Sequence, residues 1–240
     1  MKVVVLAGGR GKRMGTLTKN NQKATVCFEH KPLIVHVLDQ LLQEPFVSDV
    51  TILTGYQGID VTSVVKKTYG KSSRLSFLDF PETTGTLSRL VSAFSCLKVR
   101  HGYCVCGIDS LVSPTAFKRF CTYVNSHQND TVLTLSPRTS IAPTHKIAYV
   151  NSDKITDLIT QDSLNKESRE LQWFTDVGIR YFPAGIMAML QHRSSTQEKY
   201  IPSFVKELLL AGTIVRGFVF GDIWKHFATI DDLYSTRSLK

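Results

Sequence analysis

MKVVVLAGGRGKRMG, residues 1–15, decides how this chain is read. Residues 3–7 form an unbroken apolar run, mostly β-branched, that stops at Gly8-Gly9. A short continuous apolar run bounded by glycines predicts a strand buried on both faces, followed by a loop. Gly11 prolongs that loop, and Arg10, Lys12 and Arg13 load it with positive charge. Glycines let backbone N–H groups approach an anion closely. Arginine clamps phosphate through two parallel donors, and lysine adds a compact charge. The segment therefore predicts a phosphate-wrapping loop at the end of a buried strand.

The common phosphate motifs do not fit it. A Walker loop needs Gly, four residues, then Gly-Lys-Ser/Thr. Here Gly11-Lys12 is followed by Arg13, and the upstream position is Leu6. A dinucleotide fingerprint needs G-x-G-x-x-G and an acid closing the second strand. Gly9 and Gly11 match, but Met14 takes the third glycine's place, and the second strand closes on Leu53 and Thr54.

Outward from the loop, the pattern alternates. Helical spacing over 32–42 is followed by a β-branched run at 50–53, a helix over 59–69 and a strand over 75–78. A helix over 85–97, a strand over 103–106, a helix over 114–124 that opens on proline, and a strand over 132–135 continue it. This order predicts βαβ units and a mostly parallel sheet in a three-layer α/β domain. After residue 140 strands dominate, at 146–150, 155–159, 173–182 and 214–220, with helices near 183–190, 200–211 and 230–238. No low-complexity linker divides the chain. One domain over 1–240 is expected, with a nucleotide-binding half to about residue 135 and an acceptor-binding half beyond it.

Composition excludes several classes. With 42% hydrophobic and 20% charged residues, disorder and coiled coils are ruled out. No apolar run reaches the roughly 18 residues a membrane helix needs. The N-terminal apolar stretch is too short for a signal peptide. The five cysteines are scattered and lack a CxxC partner motif, so buried thiols in a reduced, cytoplasmic protein are expected, with Cys104 and Cys106 facing the same side of a strand. The net charge is +9. Residues 1–23 hold Lys2, Arg10, Lys12, Arg13, Lys19 and Lys23 and no acid. These cations are interleaved with glycines, whereas single-strand nucleic-acid binders interleave aromatics. A small phosphorylated ligand is the expected partner, with no nucleic acid and no membrane; Lys2 and Lys19 alone read as solvated surface charge.

Residues 6–38, LAGGRGKRMGTLTKNNQKATVCFEHKPLIVHVL, resemble the opening signature of sugar-1-phosphate nucleotidyltransferases, roughly L-A-G-G-x-G-T-R-L, P-L-T, P-K-P and K-P-L-I. Further likenesses follow in order. Thr84-Gly85-Thr86-Leu87 resembles the G-T-x-x-A/S loop, and Cys106-Gly107-Ile108-Asp109 the strand ending in N-G-D. Asp176 to Phe182 resembles N-x-G-I-Y-x-F, and Trp224 to Leu233 resembles W-x-D-I-G-T-P-E-D-L. The length and the Thr54-Gly55-Tyr56 turn are similar to the short bacterial heptose- and mannose-1-phosphate guanylyltransferases.

The resemblance implies a Rossmann-like three-layer nucleotidyltransferase fold and a reaction joining an NTP and a sugar 1-phosphate to give an NDP-sugar and pyrophosphate. It implies that Leu6, Ala7, Gly8, Gly9 and Gly11 wrap the nucleotide, with Gly85 and Thr86 at its base and ribose. Arg13 faces the pyrophosphate, Lys23 the α-phosphate and the sugar phosphate, and Asp109 holds Mg²⁺. Asp176 and Gly178 fall on the acceptor side. The second metal carboxylate of the family falls on His226, an imidazole that suits Mn²⁺ better, with Asp222 as a neighbouring carboxylate. The sugar-phosphate lysine falls near Gln161-Asp162, with Lys166 as a substitute. Ile108 and Gln22 also depart from the pattern, at the glycine before Asp109 and the proline before Lys23. GTP ranks first and CTP second as donor, and homo-oligomerisation is left open. Two alternatives stand beside the main reading: a cytidylyltransferase acting on a non-sugar phosphate or phosphonate, and a catalytically weak nucleotide-binding regulatory relative.

Overall fold

A computed structural model describes residues 1–97, 100–137, 146–160, 173–193, 199–221 and 224–234. The chain opens with β1 (Lys2–Leu6), two 3₁₀ turns (Lys12–Thr18 and Lys23–Thr25) and a two-residue hairpin, β2 (Cys27–Phe28) and β3 (Lys31–Pro32). There follow α1 (Leu33–Gln43), β4 (Asp49–Thr54), α2 (Gly58–Tyr69), β5 (Leu75–Asp79), α3 (Thr86–Ala93), β6 (Tyr103–Gly107), β7 (Ser110–Val112), α4 (Pro114–Ser126) and β8 (Thr131–Ser136). The rest comprises β9 (Lys146–Asn151), β10 (Lys154–Thr160), β11 (Trp173–Phe182), α5 (Ala184–Met189), α6 (Ile201–Leu210), β12 (Val215–Val219), β13 (Trp224–His226) and α7 (Ile230–Tyr234).

Among the described residues the main sheet has nine strands, in the order β5-β4-β1-β6-β11-β8-β12-β10-β9. The first four pair in parallel. The parallel character expected from sequence is concentrated there and in the β8–β12 pair. Elsewhere pairing is antiparallel, because β11 enters between β6 and β8 running against both, and β9 and β10 form a hairpin.

Alternation along the strands divides the interior into two cores. Val3, Val5, Ile52, Cys104 and Cys106 face one side, under Leu38 of α1, Val61 of α2 and Phe120 of α4. Val4, Leu53, Tyr103 and Val105 face the other, under Leu90 of α3, Met187 of α5 and Phe204 of α6. Side chains on a strand alternate between faces, so a run apolar at every position needs helices on both sides. That produces the three layers. Helix α4 shows how its start is fixed: the Ser113 hydroxyl accepts from the Ala116 N–H at 3.1 Å, and Pro114 occupies the first turn. No helix among the described residues is long and apolar enough to cross a membrane.

The cysteines separate by depth. Cys27 and Cys96 are exposed, whereas Cys104, Cys106 and Cys121 are buried. Burial, with Asp109 nearby, pushes the Cys106 thiol up to about 12, and burial with Glu44 does the same at Cys121. The thiolate is the reactive form, so these groups are inert in the folded chain. Titration with a thiol-specific disulfide reagent at pH 8 is expected to modify two of the five cysteines rapidly in the native protein and all five in denaturant. Rapid native modification of three or more would contradict the packing.

Candidate active site

The site forms at the carboxyl ends of parallel strands, where ligands bind in open α/β sheets. Strand β1 ends at Leu6 beside Gly107 of β6, and Leu53 of β4 lies on its other side. A cleft of about 310 Å³ opens above them. Its walls include Leu6, Gly8, Gly9 and Gly11 from the first loop, Lys12, Arg13 and Lys23 beyond it, Gly85 and Thr86 at the start of α3, and Asp109 after β6.

The glycine loop is more ordered than a flexible turn. Gly11 adopts φ +67°, and a Cβ there would lie 2.7 Å from the Lys23 Cβ. Only glycine meets both demands cheaply. The Thr18 hydroxyl donates to Gly11 O at 2.9 Å, and Met14 is fully buried beneath. Gln22, wholly buried, replaces the proline of the signature and ties the loop down. Its Nε2 donates to Ala7 O at 2.5 Å and Gly9 O at 3.2 Å, and its Oε1 accepts from the Ala24 N–H. Ala7 itself is buried behind the cleft wall.

Lys23 and Asp109 meet across the cleft, Nζ to Oδ2 at 2.9 Å. Burial alone would push the Asp109 carboxyl up. The charge and hydrogen bond of Lys23, with His226 near, outweigh it and hold the carboxyl well below the usual carboxylate range. Asp109 is therefore an anion at neutral pH. His226 reaches it through a small second sheet. Strand β13 pairs antiparallel with β7, His226 opposite Ser110, and the Phe227 N–H donates to Asp109 O at 2.8 Å. His226 Nε2 thus lies 3.9 Å from Asp109 Oδ2. Among the described residues no group of three or more His, Cys, Asp or Glu side chains gathers as a metal cage. One carboxylate and one imidazole stand together at a cleft lined with cations, a donor pair that a divalent ion accepts when other ligands complete its shell.

The structure gathers Leu6, Gly8, Gly9, Gly11, Arg13, Lys23, Gly85, Thr86 and Asp109 around one cleft, and His226 beside it. Gly85 holds φ +94° at the start of α3, but the group crowding it is Lys199, whose carbonyl accepts from the Leu87 N–H at 2.9 Å. Its conformation serves the 199–201 segment that closes over α3. Asp176 and Gly178 do not line the cleft. The Asp176 carboxylate, buried, accepts from Arg180 Nη2 at 2.5 Å and from the Gly178 N–H at 2.9 Å. Lys166, Gln161, Asp162 and Asp222 lie outside the described residues. Lys12 of the glycine loop lines the cleft too, as do Arg89 and Tyr200, to which sequence reasoning assigned no site role.

A glycine loop, four cations and a carboxylate held in its ionised form make this a cleft suited to a phosphate-bearing group. The nucleotidyl transferase family profile matches residues 2–239, and the chain belongs to that family. The choline-phosphate cytidylyltransferase of Streptococcus pneumoniae (strain ATCC BAA-255 / R6) is 39% identical over 56 residues, a stretch spanning 23% of this chain and 24% of that protein. The inositol-1-phosphate CTP transferase from T. maritima superposes with a TM-score of 0.78 over 98% of this chain and 91% of its own, at 19% identity. A UDP-glucose pyrophosphorylase bound to UDP-glucose gives 0.78 over 97% and 95%, at 14% identity. The CTP:phosphocholine cytidylyltransferase from Streptococcus pneumoniae gives 0.72 over 97% and 96%, at 19% identity. At these identities the structures speak for the fold.

The Gln22 staple yields a test. Gln22→Leu removes three hydrogen bonds and strands two carbonyls and one N–H near the loop. Unmet buried groups cost about 1–3 kcal/mol each. The substitution is expected to lower stability by about 2 kcal/mol or more in urea denaturation and to weaken nucleotide binding, read by calorimetry. An unchanged midpoint and affinity would show that the loop holds without it.

Proposed function

We propose that this chain transfers a nucleotidyl group from an NTP to a sugar 1-phosphate, giving an NDP-sugar and pyrophosphate. The Lys23–Asp109 pair set in the glycine cleft carries the reading. A phosphate oxygen of the acceptor forms a new bond to the α-phosphorus, and the bond from that phosphorus to the β-bridging oxygen breaks. Such a transfer needs positioning and charge neutralisation rather than a protein nucleophile. In this reading Lys23, nearly buried in the cleft wall, bridges the α-phosphate and the incoming phosphate. Arg13 and Lys12, both exposed on the loop, face the leaving pyrophosphate. Backbone N–H groups of residues 8–11 wrap the triphosphate.

Asp109 and His226 would hold a divalent ion, Mg²⁺ with Mn²⁺ as substitute, which when bound offsets phosphate charge. GTP ranks first and CTP second. The acceptor falls to the 136–240 half, with Asp176 and Gly178 shaping its side through β11 and not through free polar groups. A second reading, CTP with a phosphocholine acceptor, draws on the 39% match to a choline-phosphate cytidylyltransferase and on Tyr200, a cleft residue 58% exposed. An exposed aromatic face suits a quaternary ammonium as well as a sugar ring.

Pyrophosphate release separates the readings. Each NTP is tested with pooled sugar 1-phosphates and with phosphocholine, under Mg²⁺ and Mn²⁺. Release with a sugar 1-phosphate, lowered at least about a hundredfold in Asp109→Asn, is expected. Release with phosphocholine alone would favour the second reading, and no release with any pair would overturn both.

A further inference from the structure

We propose that the groove beside the glycine loop, lined by Arg10, Lys12 and Lys19, is a second pyrophosphate site that receives the leaving group from the cleft. The proposal rests on the nucleotidyl-transfer reading above, which supplies the ion. The groove encloses about 470 Å³, and Thr16, Thr18 and Tyr56 help to wall it. Along the loop the residues divide between the two spaces. Gly9, Gly11 and Arg13 line the cleft, Arg10 lines the groove, and Lys12 lines both. Lys12 stands where the signature has threonine, so the one residue common to cleft and groove carries a charge in this chain.

Contacts between separate loops hold the groove in shape. The Tyr56 N–H, in the loop between β4 and α2, donates to Gly8 O at 3.3 Å. Gln57 Nε2 in the same loop donates to Asn20 O at 3.2 Å, next to Lys19. The Thr18 hydroxyl ties the groove wall to Gly11 O at 2.9 Å. The Arg10 guanidinium lies over the Tyr56 ring, 4.8 Å from its centroid. Stacking uses the flat face of a guanidinium and leaves its edge donors available to a ligand.

The charge in this groove is of one sign. Among the described residues no acid lines it, and none of Arg10, Lys12 and Lys19 pairs with a carboxylate. A cleft lined by one sign of charge focuses its field and gathers counter-ions. The walls offer cations and threonine hydroxyls, and their one aromatic ring already carries Arg10, so they suit a compact, highly charged anion better than a base or a sugar. Phosphoryl oxygens accept paired bonds from arginine and point contacts from lysine. Pyrophosphate has this chemistry, and in the reading above it leaves on the side of Lys12 and Arg13. Its passage from Lys12 to Arg10 and Lys19 makes and breaks no covalent bond, because the bond to the α-phosphorus has already broken. Drawing the ion out of the cleft opposes the reverse reaction, in which pyrophosphate attacks the NDP-sugar.

Calorimetry on the full chain tests this, with pyrophosphate as titrant and no acceptor. The unaltered protein is expected to bind two equivalents, one in the cleft and one in the groove. Saturation with the NTP that supports transfer is expected to block the first and leave the second. Arg10 and Lys19 are both exposed. Arg10→Gln combined with Lys19→Gln is expected to weaken the second equivalent at least about tenfold, with NTP affinity within about twofold and Tm unchanged. Lys19→Gln alone leaves the Tyr56 contact in place and is expected to cost about threefold. Arg13→Gln is expected to weaken the cleft equivalent and spare the other. Sulfate is expected to bind the groove at least about tenfold more weakly than pyrophosphate. A single equivalent in the unaltered protein, an undiminished second equivalent in the double variant, or sulfate binding as tightly as pyrophosphate would overturn the proposal while leaving nucleotidyl transfer standing. So would capture of a single-stranded oligonucleotide that the double variant loses, which would give the groove to nucleic acid. Absence of pyrophosphate release with every NTP and acceptor would instead defeat the functional reading, and this proposal with it.

Discussion

Two residues 86 positions apart, Lys23 and Asp109, hold the cleft together through one contact of 2.9 Å. Each comes from the loop after a central parallel strand, so the contact fixes the distance between those two loops. Several of the groups around the site are placed against this pair. Gly11 packs on the Lys23 stem, and Phe227 and His226 are drawn to Asp109 through β13. A buried or half-buried ion pair is a modest source of stability because both charges lose water. Here its main effect is geometric: it keeps an ammonium and a carboxylate at fixed separation in a cleft that must receive further charge.

Much of this was legible in the chain. The apolar run at 3–7, the glycines after it and the alternating periodicities specify the parallel core, since a strand that is apolar at every position requires helices on both faces. Leu6, Gly8, Gly9, Gly11, Arg13, Lys23, Gly85, Thr86 and Asp109, all singled out by motif, line one cleft. What escaped was long-range and polar. Gln22 looked like drift at a proline position, yet its amide binds three backbone groups. No local rule says that a lone glutamine will be buried. The β7–β13 pairing involves three-residue strands more than a hundred positions apart, too short to show a period.

Arg89 escaped for a related reason. On an amphipathic helix, an arginine between leucines is ordinarily read as the solvent face. Its burial follows from two glycines at 8 and 55, positions remote in sequence, which open space for its guanidinium. Asp176 illustrates the reverse. Its motif suggested a group open to an acceptor, but Arg180, four residues on along the same strand, claims its carboxylate. Strand neighbours two or four apart share a face, so this pairing could have been anticipated from spacing alone.

The position of β11 has a consequence for how the chain reaches this fold. Strand β11 is the last-made strand of the sheet's middle, yet it sits between β6 and β8, both made earlier. Until residue 182 is available, each of those strands carries an open edge, rich in valine, leucine and cysteine and unprotected by charge. Exposed apolar edges recruit other chains. The nascent protein therefore passes through an interval in which these central edges lie open: the ten-residue β11 covers the facing edges of β6 and β8 together, and the far edge of β8 waits for β12.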